Sequence, residues 1–109
     1  KKLLEEFDCD IVLALAMVGA EPVDKTCAHE ASLCLLQAQL MTNKHVLGVF
    51  VHYDEGKNDD ELFEIAKDRA YKHTKNAIAL VNGKTELTPF AGSGKRQGHQ
   101  DRGPIQVNK

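Results

Sequence analysis

The fold is decided by the stretch Ile11-Val12-Leu13-Ala14-Leu15-Ala16-Met17-Val18, an uninterrupted apolar run bounded by Asp10 and Gly19. A run without polar alternation is typical of a parallel β-strand that is buried on both faces. After a short loop the chain continues as Asp24-Lys25-Thr26-Cys27-Ala28-His29-Glu30-Ala31-Ser32, which opens a helical pattern. Its polar side chains therefore start a helix at the carboxyl end of a strand, the edge where open α/β sheets bind ligands.

The apolar spacing predicts that this helix runs from Lys25 to Asn43. Small and apolar residues recur at intervals of three and four, namely Ala28, Ala31, Leu35, Ala38 and Met41. Asp24 is predicted to be the N-cap, because its carboxylate can accept from a free N–H of the first turn. Asn43 is predicted to stop the helix.

The rest of the chain continues the alternation of helices and strands. We expect the end of a helix at residues 1–7, a second strand at 46–51, a third helix at 59–75, a third strand at 77–81 and a short helix at 85–91. Asn58 followed by Glu61 resembles a capping box for the third helix. Alternation of this kind predicts one α/β domain over residues 1–109, with a parallel sheet flanked by helices.

Composition limits the classes of function. The net charge is −2, which does not resemble the basic footprint of a nucleic-acid-binding protein. The three cysteines form no CxxC pair and favour a reducing cytoplasm over a disulfide framework. The run Ile11–Val18 is too short to span a bilayer.

One group of polar residues is expected to converge at the predicted sheet edge. His29 and Glu30 lie on the first helix after the loop, and the second strand is followed directly by His52-Tyr53-Asp54-Glu55. Such a set could bind a divalent metal or act as an acid–base pair. From spacing alone, a helix-start histidine with a capping role beside a solvated acidic loop is the better interpretation.

Two further features each have a functional and a plain interpretation. Arg69, with His73 one turn later, could meet an anionic or carbonyl-rich ligand, or could lie on a solvated helix face. Gly92-Ser93-Gly94-Lys95-Arg96-Gln97-Gly98 suggests a phosphate loop, but the Walker spacing is absent, and a flexible basic tail is the better interpretation.

The sequence resembles the archaeal-type riboflavin synthases over essentially all of its 109 residues. The resemblance is carried by Cys9-Asp10-Ile11-Val12, by Asp24-Lys25 with Cys27-Ala28-His29-Glu30-Ala31-Ser32, by Leu40-Met41-Thr42-Asn43-Lys44-His45, and by the tail pattern Ala91-Gly92, Gly94, Arg96-Gln97-Gly98, Asp101 and Gly103-Pro104. It implies a lumazine synthase-like three-layer sandwich with a four-stranded parallel sheet. Because the chain opens within a helical pattern, we expect the first strand of that sheet to be missing from it.

The resemblance also implies an activity. The enzymes of this family dismutate two molecules of 6,7-dimethyl-8-ribityllumazine into riboflavin and 5-amino-6-ribitylaminouracil. They form homopentamers with active sites between neighbouring subunits, and they are associated with a divalent cation, usually Mg²⁺. From composition we expect a cytoplasmic protein that binds neither nucleic acid nor membranes.

Site residues follow from the resemblance and the sheet-edge argument together. His29 is predicted to transfer a proton, and Arg69, in the pattern Asp68-Arg69-Ala70 shared with lumazine synthases, to stabilise developing charge. The residues predicted to contact the substrate are Met17, Val18, Asp24, Lys25, His52, Tyr53, Asp54 and His73. No metal ligand can be assigned from the sequence.

Two other functions stay open. A lumazine synthase would carry a glycine-threonine phosphate loop and then a histidine, whereas this chain reads Met17-Val18-Gly19-Ala20-Glu21-Pro22-Val23-Asp24. Glu21 and Asp24 would repel a phosphate, which favours the riboflavin-forming reaction. The other alternative is a non-catalytic shell protein that binds lumazine or flavin.

Overall fold

The computed structural model describes residues 1–96 and 100–108. The chain forms helix α1 (Lys2–Glu5), strand β1 (Ile11–Val18), helix α2 (Pro22–Thr42), strand β2 (His45–His52), a 3₁₀ turn (Tyr53–Glu55), helix α3 (Asp59–Asn82) and a second 3₁₀ turn (Thr88–Phe90). The described residues after Phe90 contain no helix or strand. The sequence Gly92–Gly98 lies partly outside the described residues.

The two strands pair in parallel, which confirms the α/β class. The register joins Ile11 to His45 and Val18 to His52, so both carboxyl ends lie at the same edge. Helix α2 makes the crossover between the strands, as a parallel pair requires. Among the described residues the sheet has two strands, in the order β1–β2.

Strand β2 has one closely packed face. Val49 and Val51 on that face are buried at 3% and 4% exposure. The face that carries Gly48 packs against α2, because a Cβ placed on Gly48 would lie 3.6 Å from Leu35 Cδ1. No helix in the described part of the chain is long and apolar enough to cross a membrane.

The third strand predicted at residues 77–81 is wrong, and so is the expectation that this chain adds a third strand to a four-stranded sheet. The structure continues α3 to Asn82 and ends it at Gly83, whose N–H donates to the carbonyl of Ala79. No proline or glycine interrupts the chain between Asp59 and Asn82, so nothing stops the helix earlier. Ala77 is buried while Ile78 and Val81 are half exposed, as expected for a helix with one face on a sheet.

The other predicted boundaries differ by a few residues. Helix α2 begins at Pro22 rather than Lys25, with Glu21 as its N-cap, and Asp24 accepts from the N–H of Glu21 at 3.2 Å. Asp24 therefore caps the helix from its third position. Asn43 ends α2 in the left-handed region at φ 53°, as predicted. Asn58 caps α3 as predicted, since its Oδ1 accepts from the N–H of Glu61 at 2.9 Å.

Replacing Asn76 by proline distinguishes a continuous α3 from a loop followed by a strand. Within a helix, proline removes a backbone hydrogen bond and clashes with the preceding turn, so we expect Asn76→Pro to lower the free energy of unfolding by about 3 kcal/mol or more. Asn76→Ala is the matched control and should be neutral or slightly stabilising. Urea unfolding measures both variants, and equal stability for the two would contradict the helix.

Candidate functional site

A cavity of about 450 Å³ opens between α2, β2 and α3. Its walls follow from simple periodicities, since α2 contributes residues three and four apart, β2 contributes alternate residues, and α3 contributes residues one turn apart. The lining residues are Lys25, Ala28, His29, Ser32, Gly48, Phe50, His52, Arg69 and His73. Three separate segments thus bring their polar side chains to one place.

Half of the ten residues predicted from the sequence line this cavity. They are Lys25, His29, His52, Arg69 and His73. The convergence of the helix-start histidine with the end of the second strand is therefore as expected. Nothing in the sequence grouped Arg69 and His73 with the sheet-edge histidines, yet both line the same cavity as His29 and His52.

Met17, Val18 and Asp24 line a different cavity of about 290 Å³ at the carboxyl end of β1. This cavity shares Ala28 and Phe50 with the larger one, so the two adjoin.

Tyr53 and Asp54 lie in the 3₁₀ turn after His52 and line neither of these cavities. Tyr53 is 55% exposed. Asp54 accepts a hydrogen bond from Lys25 Nζ at 2.5 Å, which joins α2 to the turn beside the larger cavity. That hydrogen bond lowers the pKa of Asp54 below its usual value.

Arg69 is the buried cation of the site, with an exposure of 6%. Its Nη1 and Nη2 donate to the Glu55 carboxylate at 2.8 and 2.6 Å, and Nη1 also donates to the carbonyl of Phe50 at 2.8 Å. These hydrogen bonds lower the pKa of Glu55 to about 2, against the opposing effect of burial. The pair therefore stays ionised at neutral pH and ties α3 to the turn after β2.

Sequence reasoning grouped Glu55 with the acidic loop but gave it no role. On its own helix Arg69 has no acidic residue three or four positions away. The actual partner is 14 residues away in the chain, across the turn between β2 and α3. The only sequence signal for this pairing is that Glu55 belongs to the acidic segment directly after the second strand.

His52 is held by the same carboxylate. Its backbone N–H donates to Glu55 Oε2 at 2.8 Å, and its ring Nδ1 lies 3.6 Å from the same oxygen. One carboxylate thus contacts an arginine, a backbone N–H and an imidazole.

His73 lies one helical turn beyond Arg69. Burial, and then the positive charge of Arg69, lower the pKa of its imidazole below the usual 6.5. The ring is therefore mainly neutral at pH 7 and can accept a proton. The cavity has imidazoles on α2, β2 and α3, which suits proton transfer to and from an uncharged polar ligand.

The Glu55–Arg69 ion pair makes the free energy of unfolding depend on pH in the acidic range. A carboxyl group whose pKa is lowered on folding stabilises the fold fully above its unfolded pKa, and this contribution is lost as pH falls through the folded pKa. For Glu55 the window runs from about pH 4.5 down to about 2. We expect Glu55→Gln to lower stability at pH 7, by up to about 3 kcal/mol, and to flatten the decline of stability with acid.

Urea unfolding at several pH values between 2 and 7 measures this effect. The exposed acid Glu64 provides the control, because Glu64→Gln removes the same charge from the surface of α3. Parallel pH profiles for the wild type and Glu55→Gln would contradict a stabilising Glu55–Arg69 pair.

Comparison with known proteins gives a consistent result. No protein-family model matches the chain. It is 51% identical over 105 residues to a riboflavin synthase of Methanothermobacter thermautotrophicus, covering 96% of this chain and 69% of that protein. It is 44% identical over 105 residues to a riboflavin synthase of Archaeoglobus fulgidus, with the same coverage. A riboflavin synthase of Aeropyrum pernix is 41% identical over 106 residues, covering 96% of this chain and 68% of the relative.

These matches extend over nearly the whole chain. The resemblance inferred from the motifs is therefore confirmed, and the chain belongs to the riboflavin synthase family of archaea.

Proposed function

We propose that this protein is a transferase that dismutates two molecules of 6,7-dimethyl-8-ribityllumazine into riboflavin and 5-amino-6-ribitylaminouracil. The observation that carries the proposal is the identity of 51% with a riboflavin synthase over 96% of this chain. One substrate molecule gives a four-carbon unit to the other. The site must therefore hold two ring systems together, remove a methyl proton and return protons to the released pyrimidine.

The two adjoining cavities suit a reaction between two molecules of one substrate. They have volumes of about 450 and 290 Å³ and share Ala28 and Phe50. We propose that one ring system is held by Lys25, His52 and His73, and the other by Met17, Val18 and Asp24, with Tyr53 and Asp54 at the rim. Fixing two reactants side by side can supply on the order of 7–11 kcal/mol in favourable cases.

His29 is the proposed group for removal of the methyl proton. It projects from α2 into the larger cavity, and its side chain is open to solvent and ligand. A positioned imidazole contributes about 10²–10⁴-fold to a rate through proton transfer. Loss of that proton places negative charge on the lumazine ring.

Arg69 is the proposed source of positive charge for that step. Its guanidinium lines the larger cavity but donates to Glu55 and to the Phe50 carbonyl. The hydrogen bonds that Arg69 donates to Glu55 also raise the pKa of Arg69, so the cation persists at every pH of interest. We propose that it acts as a fixed charge beside the ring.

The proposal includes a lumazine synthase-like sandwich with a four-stranded sheet and assembly into a homopentamer with shared sites. Exposed apolar surface supports both points. On β1, Leu15 and Met17 are 67% and 48% exposed, and on α2 a stripe at spacings of three and four exposes Leu33, Leu36 and Leu40 by 47%, 54% and 82%. Further strands would cover the first surface, and neighbouring subunits the second.

The divalent cation and the cytoplasmic location stay predictions. Within the part of the chain that the structure describes, no three histidine, cysteine or acidic side chains come together as metal ligands. Asp54 pairs with Lys25, and Glu55 pairs with Arg69. We therefore assign no residue to Mg²⁺ and derive no step through it.

Two incubations separate the proposed reaction from that of a lumazine synthase. We expect riboflavin to form from the ribityllumazine alone, and no lumazine to form from the pyrimidinedione and the four-carbon phosphate. The physical reason is that Glu21 and Asp24, which cap α2 reciprocally, place two carboxylates where a phosphate would need donors. Riboflavin fluorescence measures the first reaction, with and without added Mg²⁺, and lumazine formation alone would contradict the proposal.

Replacing His29 by alanine tests its role in proton transfer. We expect kcat for riboflavin formation to fall by about 10²-fold or more, with a smaller change in KM, because the imidazole is needed for the chemical step. His45→Ala is a matched control, since His45 is also exposed but lies at the amino end of β2. Turnover near that of the wild type in His29→Ala would remove this residue from catalysis.

A further inference from the structure

We propose that His52 and Glu55 form a carboxylate–imidazole pair in which His52 is a second proton-transfer group and Glu55 is its positioning residue. This inference rests on the proposed riboflavin synthase activity and adds a residue, Glu55, to the site. The pair stands at the carboxyl end of β2, on a different wall of the cavity from His29.

The Glu55 carboxylate is held rigidly enough to orient a ring. Its Oε1 accepts from Arg69 Nη2 at 2.6 Å, and its Oε2 accepts from Arg69 Nη1 at 2.8 Å and from the backbone N–H of His52 at 2.8 Å. Donors on both oxygens fix the plane of the carboxylate. Arg69 is itself fixed by its hydrogen bond to the carbonyl of Phe50.

This fixed carboxylate faces one nitrogen of the His52 ring. Nδ1 lies 3.6 Å from Glu55 Oε2, which is an electrostatic contact and longer than a hydrogen bond. Catalytic contacts of this kind are often long before substrate binds and tighten in the complex. With Nδ1 on the side of the carboxylate, Nε2 on the other side of the ring is left for the ligand.

The reaction needs such a group in addition to His29. When the donor lumazine gives up its four-carbon unit, the two carbons that leave its ring nitrogens form C–C bonds to the two methyl carbons of the acceptor. The electron pairs of the broken C–N bonds go to the nitrogens of the released pyrimidine. The four protons lost from the acceptor methyl groups equal the four gained by the pyrimidine, two on its 5-amino nitrogen, one on its ribitylamino nitrogen and one on a ring nitrogen, so the dismutation uses no oxidant or reductant. We assign delivery of protons to the released pyrimidine to the His52 ring, which donates from Nε2 and then takes up protons removed from the methyl groups.

The competing explanation is that Glu55 only anchors Arg69 and stabilises the turn. A cycle of His52→Gln, Glu55→Gln and the double variant separates the two explanations. His52→Gln removes the ring but keeps the backbone N–H that bonds Glu55, and it keeps the Glu55–Arg69 pair. Glu64→Gln is the charge-matched control on the surface of α3.

We expect His52→Gln to lower kcat by about 10²-fold or more with little change in KM. Glu55→Gln should lower kcat by about 10–100-fold, as loss of an outer partner commonly does. The further loss on adding Glu55→Gln to His52→Gln should be clearly smaller than the loss from Glu55→Gln alone, because part of that loss passes through the ring and only the rest through Arg69. Losses that multiply in full, or a His52→Gln variant with normal kcat, would overturn the inference.

Chemical rescue of His52→Ala by imidazole tests proton transfer directly, because a purely structural role of His52 would not respond to added imidazole. It also replaces the double-variant experiment if Glu55→Gln is too unstable to study. Added imidazole should restore at least about tenfold of the lost kcat in His52→Ala. Absence of rescue in a folded His52→Ala, with Arg69 and Glu55 intact, would count against the pair. A wild-type protein that forms no riboflavin would refute the proposed function itself, whereas active wild type with multiplying losses refutes only this inference.

Discussion

The ion pair between Arg69 and Glu55 is the interaction on which the rest of the structure depends. It joins the middle of α3 to the turn that ends β2, and Arg69 also bonds the carbonyl of Phe50 within β2. A guanidinium with an exposure of 6% would be costly to bury without these acceptors. The pair therefore fixes both the position of α3 on the sheet and the shape of the cavity between the helices.

The same turn is tied to the other helix by a second ion pair. Asp54 and Glu55 are neighbours in the chain, yet Asp54 bonds Lys25 of α2 while Glu55 bonds Arg69 of α3. The turn after β2 is thus bonded to the helices on both sides of the larger cavity, and His52 lies directly before this turn. An adaptable loop would place an imidazole less accurately than a turn held from both sides.

Much of the fold follows from local sequence, and the errors have a physical cause. The run Ile11–Val18 is a parallel strand, although Leu15 and Met17 are exposed, and Asn58 and Asn43 act as the helix boundaries that their side chains favour. The apolar run at residues 77–81 is ambiguous by sequence, because a short apolar run suits either a strand or a buried helical segment. The structure makes them the last turns of α3, since the helical pattern of Asp59–Lys75 continues without a breaker up to Gly83.

The sequence by itself determined the class of fold, the family and the residues at the sheet edge, because apolar periodicity, caps and motifs are local properties of the chain. His29, His52 and Arg69 could be selected on those grounds. Only the tertiary structure decided that Glu55 is the partner of Arg69 and His52, and that Met17, Val18 and Asp24 lie in a separate cavity. These pairings join residues from different elements, so they depend on how strands and helices pack and not on spacing along the chain.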